Sequence, residues 1–332
     1  MLRNLILVLT FLLIPPTILA AGNKYGVFVG VGNYPRAVDK LSSSSNDATE
    51  ICRAFSADCG NGNTELLTDE RATRAKIISS ILNFQKCAGK GDLFVFYYSG
   101  HGTLFPDKFS GELDEKVALK AVRKGTQLQI SPLGELFDSA LIPFDSTKTD
   151  SEERAWRNLI LDDELYNLFS EFTKNGVRVV FISDSCYSGG QSKGLLDLSA
   201  RKQNGLGKAK FLDWKDAIGI KSESELKKGV LNQKASGPQT AFNDNYIMIS
   251  SSAVNESSFS QSPNSEMQMS AFTYYFLEIL NEHKSAGKPF TFETIKYEVS
   301  PLVIKYAERY KESQTPNVDA KYFKGSLGIS VF

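Results

Sequence analysis

Asp92-Leu-Phe-Val-Phe-Tyr-Tyr98 runs straight into Ser99-Gly100-His101-Gly102, an apolar stretch that stops at a glycine-flanked turn. A continuous apolar run of this length predicts a strand buried on both faces, as in a parallel sheet covered by helices. Similar runs lie on either side. Tyr25-Gly-Val-Phe-Val-Gly-Val31 ends at Gly32-Asn33, and Val177-Arg-Val-Val-Phe-Ile182 leads into Asp184-Ser-Cys186. Shorter strands are expected at 64–67 and 246–249, and a last one at 325–332. Helices are expected from Asn46 or Asp47 to 55, and over 72–84, 162–174, 272–283 and 292–310. Residues 103–160 are less regular. This β-α-β-α-β rhythm predicts an α/β fold: one domain, with a mostly parallel sheet of about six strands between helices.

The first 21 residues read separately. Arg3 precedes a short apolar run from Leu5 to Ile14, Pro15-Pro16 breaks it, and Ala20-Ala21 offers small residues for cleavage. Such a run is too short to span a bilayer as a helix but suits a secretory signal, with an uncleaved N-terminal anchor as the alternative; removal of the signal would leave 22–332 as a secreted or periplasmic domain with no membrane segment. With 38 basic and 38 acidic side chains, the chain has no cationic excess for binding nucleic acid. Two histidines and no Cys-x-x-Cys argue against a zinc site. Export would allow a disulfide among Cys52, Cys59 and Cys87; Cys52 with Cys59 is one option, and spacing does not choose.

Two residues carry chemistry at the strand ends. His101 follows one central strand and Cys186 another, and ligands collect beyond the carboxyl ends of parallel strands. An imidazole beside a thiol takes its proton or stabilises the thiolate, which makes the sulfur a nucleophile. Nearby glycines let backbone N–H groups approach a substrate carbonyl. Taken singly, a cysteine is more often a buried small hydrophobe and a histidine beside glycine a turn residue.

Phe96-Tyr-Tyr-Ser-Gly-His-Gly102 and Ile182-Ser-Asp-Ser-Cys-Tyr-Ser-Gly189 resemble the His and Cys motifs of the metacaspases, within the caspase-like peptidases. Leu66-Leu-Thr-Asp69, Leu141-Ile-Pro-Phe-Asp145, Asp162-Asp163-Glu-Leu165 and Gln314-Thr-Pro316 agree in order. The resemblance implies a caspase-like fold and a cysteine endopeptidase. Cys186 would be the nucleophile, His101 the base, and the N–H groups of Gly102 and Cys186 the oxyanion donors. It also implies that Asp47, Ser99 and Asp184 line the pocket for an Arg or Lys preceding the cut bond of a peptide or protein substrate. A helix-start cap is the competing account of Asp47, and a turn acid that of Asp184. A non-catalytic peptide-binding module on the same fold is the rival function.

The chemistry itself requires no cofactor. The resemblance places Asp145, Asp162 and Asp163 where some metacaspases bind calcium, although Lys193 stands at the family's fourth acid and Asp197 is reached only across a four-residue insertion. Capping of a helix explains Asp162 and Asp163 without metal. Tyr187 replaces the usual His after the Cys, and Ser44 a Cys often found near the pocket. The polar segment 191–245 carries ten Lys or Arg between Lys193 and Lys234, and reads as a surface insertion or as a linker that a zymogen cuts for itself.

Overall fold

The computed structural model describes residues 22–35, 40–106, 137–147, 158–186, 208–212, 245–253, 256–261, 263–264, 266–320 and 331. The expected signal segment, Tyr187, Lys193, Asp197 and most of 191–245 lie outside the described residues. In chain order the strands are β1 (Lys24–Gly30), β2 (Thr64–Thr68), β3 (Leu93–Ser99), β4 (Gly102–Pro106), β5 (Phe137–Leu141), β6 (Ile160–Leu161), β7 (Arg178–Asp184), β8 (Tyr246–Ser250) and β9 (Asn317–Asp319). The helices are α1 (Ser44–Phe55), α2 (Arg74–Cys87), α3 (Asp162–Lys174), α4 (Ala271–Ser285) and α5, which starts at Phe292–Thr294, widens into a π-turn at Ile295–Val299 and continues over Ser300–Glu308.

The three apolar runs become β1, β3 and β7 at the centre of a six-stranded sheet, order β2-β1-β3-β7-β8-β9. All pairs are parallel except β8 with β9. Side chains alternate between two faces, because the strand period is two. Tyr25, Val27, Val29, Phe94, Phe96, Tyr98, Val179 and Phe181 enter one apolar cluster with α2, α3 and the strands β5 and β6. Phe28, Val95, Tyr97, Val180, Ile182, Ile247 and Ile249 enter the other with α1, α4 and α5. Burying each such side chain contributes about 1.5–3 kcal/mol, which explains why the central strands need apolar residues at every position.

Two expectations need correction. The stretch 103–160 is not merely irregular: β4, β5 and β6 form a small antiparallel sheet, and β4 begins one residue after His101. Helix α1 starts at Ser44 rather than at Asn46 or Asp47, with Ser43 as its N-cap. The sixth strand of the main sheet is Asn317–Asp319; the strand expected at 325–332 falls outside the described residues apart from Val331.

Gly30 fixes how α1 meets the sheet. A Cβ there would lie 2.4 Å from the carbonyl oxygen of Ser44 and 2.8 Å from Cβ of Ala48, so β1 ends in direct backbone contact with the start of the helix. That contact sets the position of Asp47, three residues into α1. Gly30→Ala should destabilise the fold by about 1–3 kcal/mol through overpacking. Gly89→Ala, where nothing lies within 4 Å of the added carbon, should stay under about 0.5 kcal/mol. Thermal denaturation followed by circular dichroism checks the pair; equal melting temperatures would contradict the tight contact.

Candidate active site

Parallel pairing of β3 with β7 puts Ser99 opposite Asp184. Two residues further along each strand come His101 and Cys186, so residues 85 apart in sequence leave the sheet side by side. Their turns touch: a Cβ on Gly102 would lie 2.2 Å from the Cys186 carbonyl oxygen, an approach only glycine permits. The backbone of His101 is held from both sides. Its N–H donates to the Tyr34 hydroxyl (2.9 Å), and its carbonyl accepts from the Tyr98 hydroxyl (2.8 Å) and from Ile142 N–H (3.1 Å). The imidazole lies against the Tyr34 ring, centroids 5.0 Å apart.

Asp47, Ser99 and Asp184 come together, all fully buried. Asp47 accepts from Ser99 Oγ (2.8 Å) and from Ser270 N–H (2.8 Å). It does not cap α1; that place belongs to Ser43. Asp184 accepts from Ser258 Oγ (2.7 Å), Thr273 Oγ1 (2.8 Å) and the Ser270 hydroxyl. Ser270 is also the N-cap of α4, its Oγ accepting from Thr273 N–H, so the helix start forms part of the pocket wall.

Two buried carboxylates demand a cation, and Lys210 supplies it. Its Nζ lies 2.9 Å from Asp184 Oδ1, 3.2 Å from Asp47 Oδ2 and 2.9 Å from Ser99 Oγ. An ammonium has three donors, and all three are used. Burial pushes the Asp47 carboxyl up to about 6 against the pull of Lys210. Burial acts upward on Asp184 too, but there the Lys210 charge and the Ser270, Lys210 and Ser258 donors win and hold it below the usual range. Burial opposes the charge on Lys210, yet the two carboxylates raise it overall.

The main chain around Lys210 is placed as firmly as its side chain. Its carbonyl oxygen accepts from Gly102 N–H (2.9 Å) and Cys186 N–H (3.4 Å), the two donors expected for an oxyanion. Lys210 N–H donates to Ser258 O (2.8 Å), and Ser260 N–H to Lys208 O (3.0 Å), with Ala209 opposite Phe259 in an antiparallel bridge. Beyond Lys210, Leu212 N–H donates to Gly102 O (3.1 Å). Residues 208–212 therefore lie as an added strand across the ends of β3 and β7. Gln314 steadies the partner segment: its Nε2 donates to Ser251 O (3.1 Å) and its Oε1 accepts from Phe259 N–H (3.3 Å). The Cys186 thiol is buried, accepts from Ser258 N–H (2.7 Å), and burial pushes it up to about 12.

The acids named for calcium have other work. Asp145 Oδ1 accepts Arg74 N–H (2.8 Å) at the start of α2, and Asp162 and Asp163 open α3. They do not gather, and no group of three or more His, Cys, Asp or Glu able to hold a metal ion occurs among the described residues. Lys193 and Asp197, the two positions considered for a fourth acid, lie outside the described residues.

Sequence reasoning missed Tyr34, Ser258, Ser270, Thr273 and Lys210. Only Tyr34 carried a signal, since it directly follows the Gly32-Asn33 turn that ends β1.

Residues 23–325 match the family model of the caspase domain, and the chain belongs to that family of cysteine-type peptidases. Among curated proteins it resembles metacaspases. It is 28% identical to metacaspase-4 of Arabidopsis thaliana over 174 residues, 50% of this chain and 34% of that protein. Against metacaspase-5 of Trypanosoma cruzi it is 28% identical over 196 residues, 55% of this chain and 36% of the relative. These matches thus span about a third of the relatives' length. A crystal structure of a Geobacter sulfurreducens protein shares the fold at TM-score 0.60 and 21% identity, covering 93% of this chain and 100% of that one.

The Lys210 ammonium holds Asp47 down towards 6; without it the buried carboxyl keeps its proton to higher pH. Cation binding to the emptied pocket therefore expels a proton, and affinity should fall as pH is lowered towards about 6 and level off below. Fluorescence anisotropy of a lysine peptide on the Cys186→Ala, Lys210→Ala chain reads this. A norleucine peptide should lack the trend, and a flat profile for the lysine peptide would remove Asp47 from the pocket.

Proposed function

We propose that the protein is an endopeptidase that cuts after Lys or Arg, with Cys186 as nucleophile and His101 as its base, and that its own Lys210–Phe211 bond is the first substrate. The observation that carries this reading is the placement of Lys210, with its ammonium between Asp47 and Asp184 and its carbonyl on Gly102 N–H and Cys186 N–H. The side chain and the carbonyl of Lys210 are held at once, which supports its role as a positioned substrate residue. Burial keeps Cys186 a thiol here, so its proton passes to His101 as the sulfur adds to the carbonyl. The negative oxygen that forms is met by N–H groups already in place. His101 then protonates the departing amine of Phe211, and water releases the thioester.

An acidic or neutral side chain in this pocket would leave both carboxylates without a counter-ion, which argues for cationic substrates. The rival reading, a module that only holds peptide, is favoured by the covered thiol alone. Export fits the same proposal: the Cys52–Cys59 disulfide suits an oxidising compartment.

Incubation of wild type, Cys186→Ala and His101→Ala, with fragments mapped by mass spectrometry, tests the reading. Wild type should yield a break between Lys210 and Phe211, and each variant should lose activity on lysine peptides by on the order of a thousandfold or more. A chain left intact in all three, with no peptide cut, would support the binding module instead.

A further inference from the structure

The segment lying in the site alternates. Lys208, Ala209 and Phe211 are half-buried, whereas Lys210 and Leu212 are buried. Side chains two apart on an extended chain share a face, so the register that sends Lys210 into its pocket also turns Leu212 inward. Leu212 is 9% exposed and joins the apolar cluster formed by β1, β3, β5 and α3. Its backbone is fixed too, through the 3.1 Å bond from its N–H to Gly102 O and the parallel bridge of Phe211 with Gly102. Gly102 thus serves both sides of the bond: its N–H meets the carbonyl of Lys210, and its own carbonyl meets the second residue beyond.

We infer that the site reads a second side chain, a large aliphatic residue two positions after the cut, so that the preferred substrates are extended peptides of the pattern Lys or Arg, any residue, then Leu or a similar aliphatic. The inference rests on the reading of Lys210–Phe211 as the bond presented to Cys186. Polar or charged residues at the second position are disfavoured, because the apolar surroundings of Leu212 offer nothing to replace their water. The residue between them, equivalent to Phe211, is left comparatively free by its half-exposed place.

Internally quenched peptides containing Lys-Ala-Lys-Phe-Leu, and the same peptide with the leucine replaced by alanine or aspartate, test this on the wild-type chain after self-cleavage and on Lys210→Ala. The leucine peptide should have kcat/KM at least about tenfold above either replacement, the scale of burying an aliphatic side chain. Equal rates within about twofold for all three would overturn the inference while leaving cleavage after lysine intact. A fourth peptide with norleucine before the bond separates the two readings: if it is cut as well as the lysine peptide and the leucine still matters, the cationic pocket fails and the aliphatic site stands. If no peptide is cut, binding to the Cys186→Ala, Lys210→Ala chain decides, tighter binding of the leucine peptide supporting the site and equal binding refuting it.

Discussion

Two carboxylates buried within reach of one ammonium constrain the rest of this site. Asp47 comes from α1, Asp184 from the end of β7 and Lys210 from a chain segment laid across both. None of the three tolerates burial alone, since an isolated charge in a dry interior costs several kcal/mol. Hydroxyls from Ser99, Ser258, Ser270 and Thr273 complete the shell. The arrangement therefore ties the sheet, two helix starts and the bound segment into one electrostatic unit, and any cation that replaces Lys210 must enter the same geometry.

The parallel register of β3 and β7 does the rest. Because Ser99 faces Asp184, the same two strands present the pocket at their last residues and the His101 and Cys186 turns two residues later. The pocket and the two turns are thus separated by one strand repeat. Tyr34 and Tyr98 brace the backbone of the His101 turn, so that turn is held by the apolar body of the domain rather than by a loose loop.

Much of this was legible in the sequence because the physics there is local. Strands buried on both faces must be apolar throughout, which made β1, β3 and β7 visible; glycines beside His101 and Cys186 marked turns where backbone must come close. Asp47 and Asp184 were readable only through their resemblance to known motifs. Lys210 was not, since it is one of ten basic residues in a segment without periodic pattern, and only the fold selects it. Ser258, Ser270 and Thr273 act from more than 70 residues beyond Asp184, and hydroxyls in loops carry no signal of their own. The small sheet of β4, β5 and β6 escaped notice because its described strands are short and separated by long stretches of chain.

Where Lys210 lies along the chain has a further consequence for the architecture. Severing the backbone there divides the polypeptide without dividing the domain. The leading piece keeps β1 to β7 with His101 and Cys186, and the trailing piece keeps β8, β9, α4 and α5. Yet β7 pairs with β8 along its length, and Val180 and Ile182 share one apolar cluster with Ile247, Phe272 and Phe276. The pocket is likewise a joint construction, with Asp184 on one piece and its hydroxyl donors on the other. The product of such a break is a two-chain protein whose interface is the former core, held by the same burial that folded the single chain.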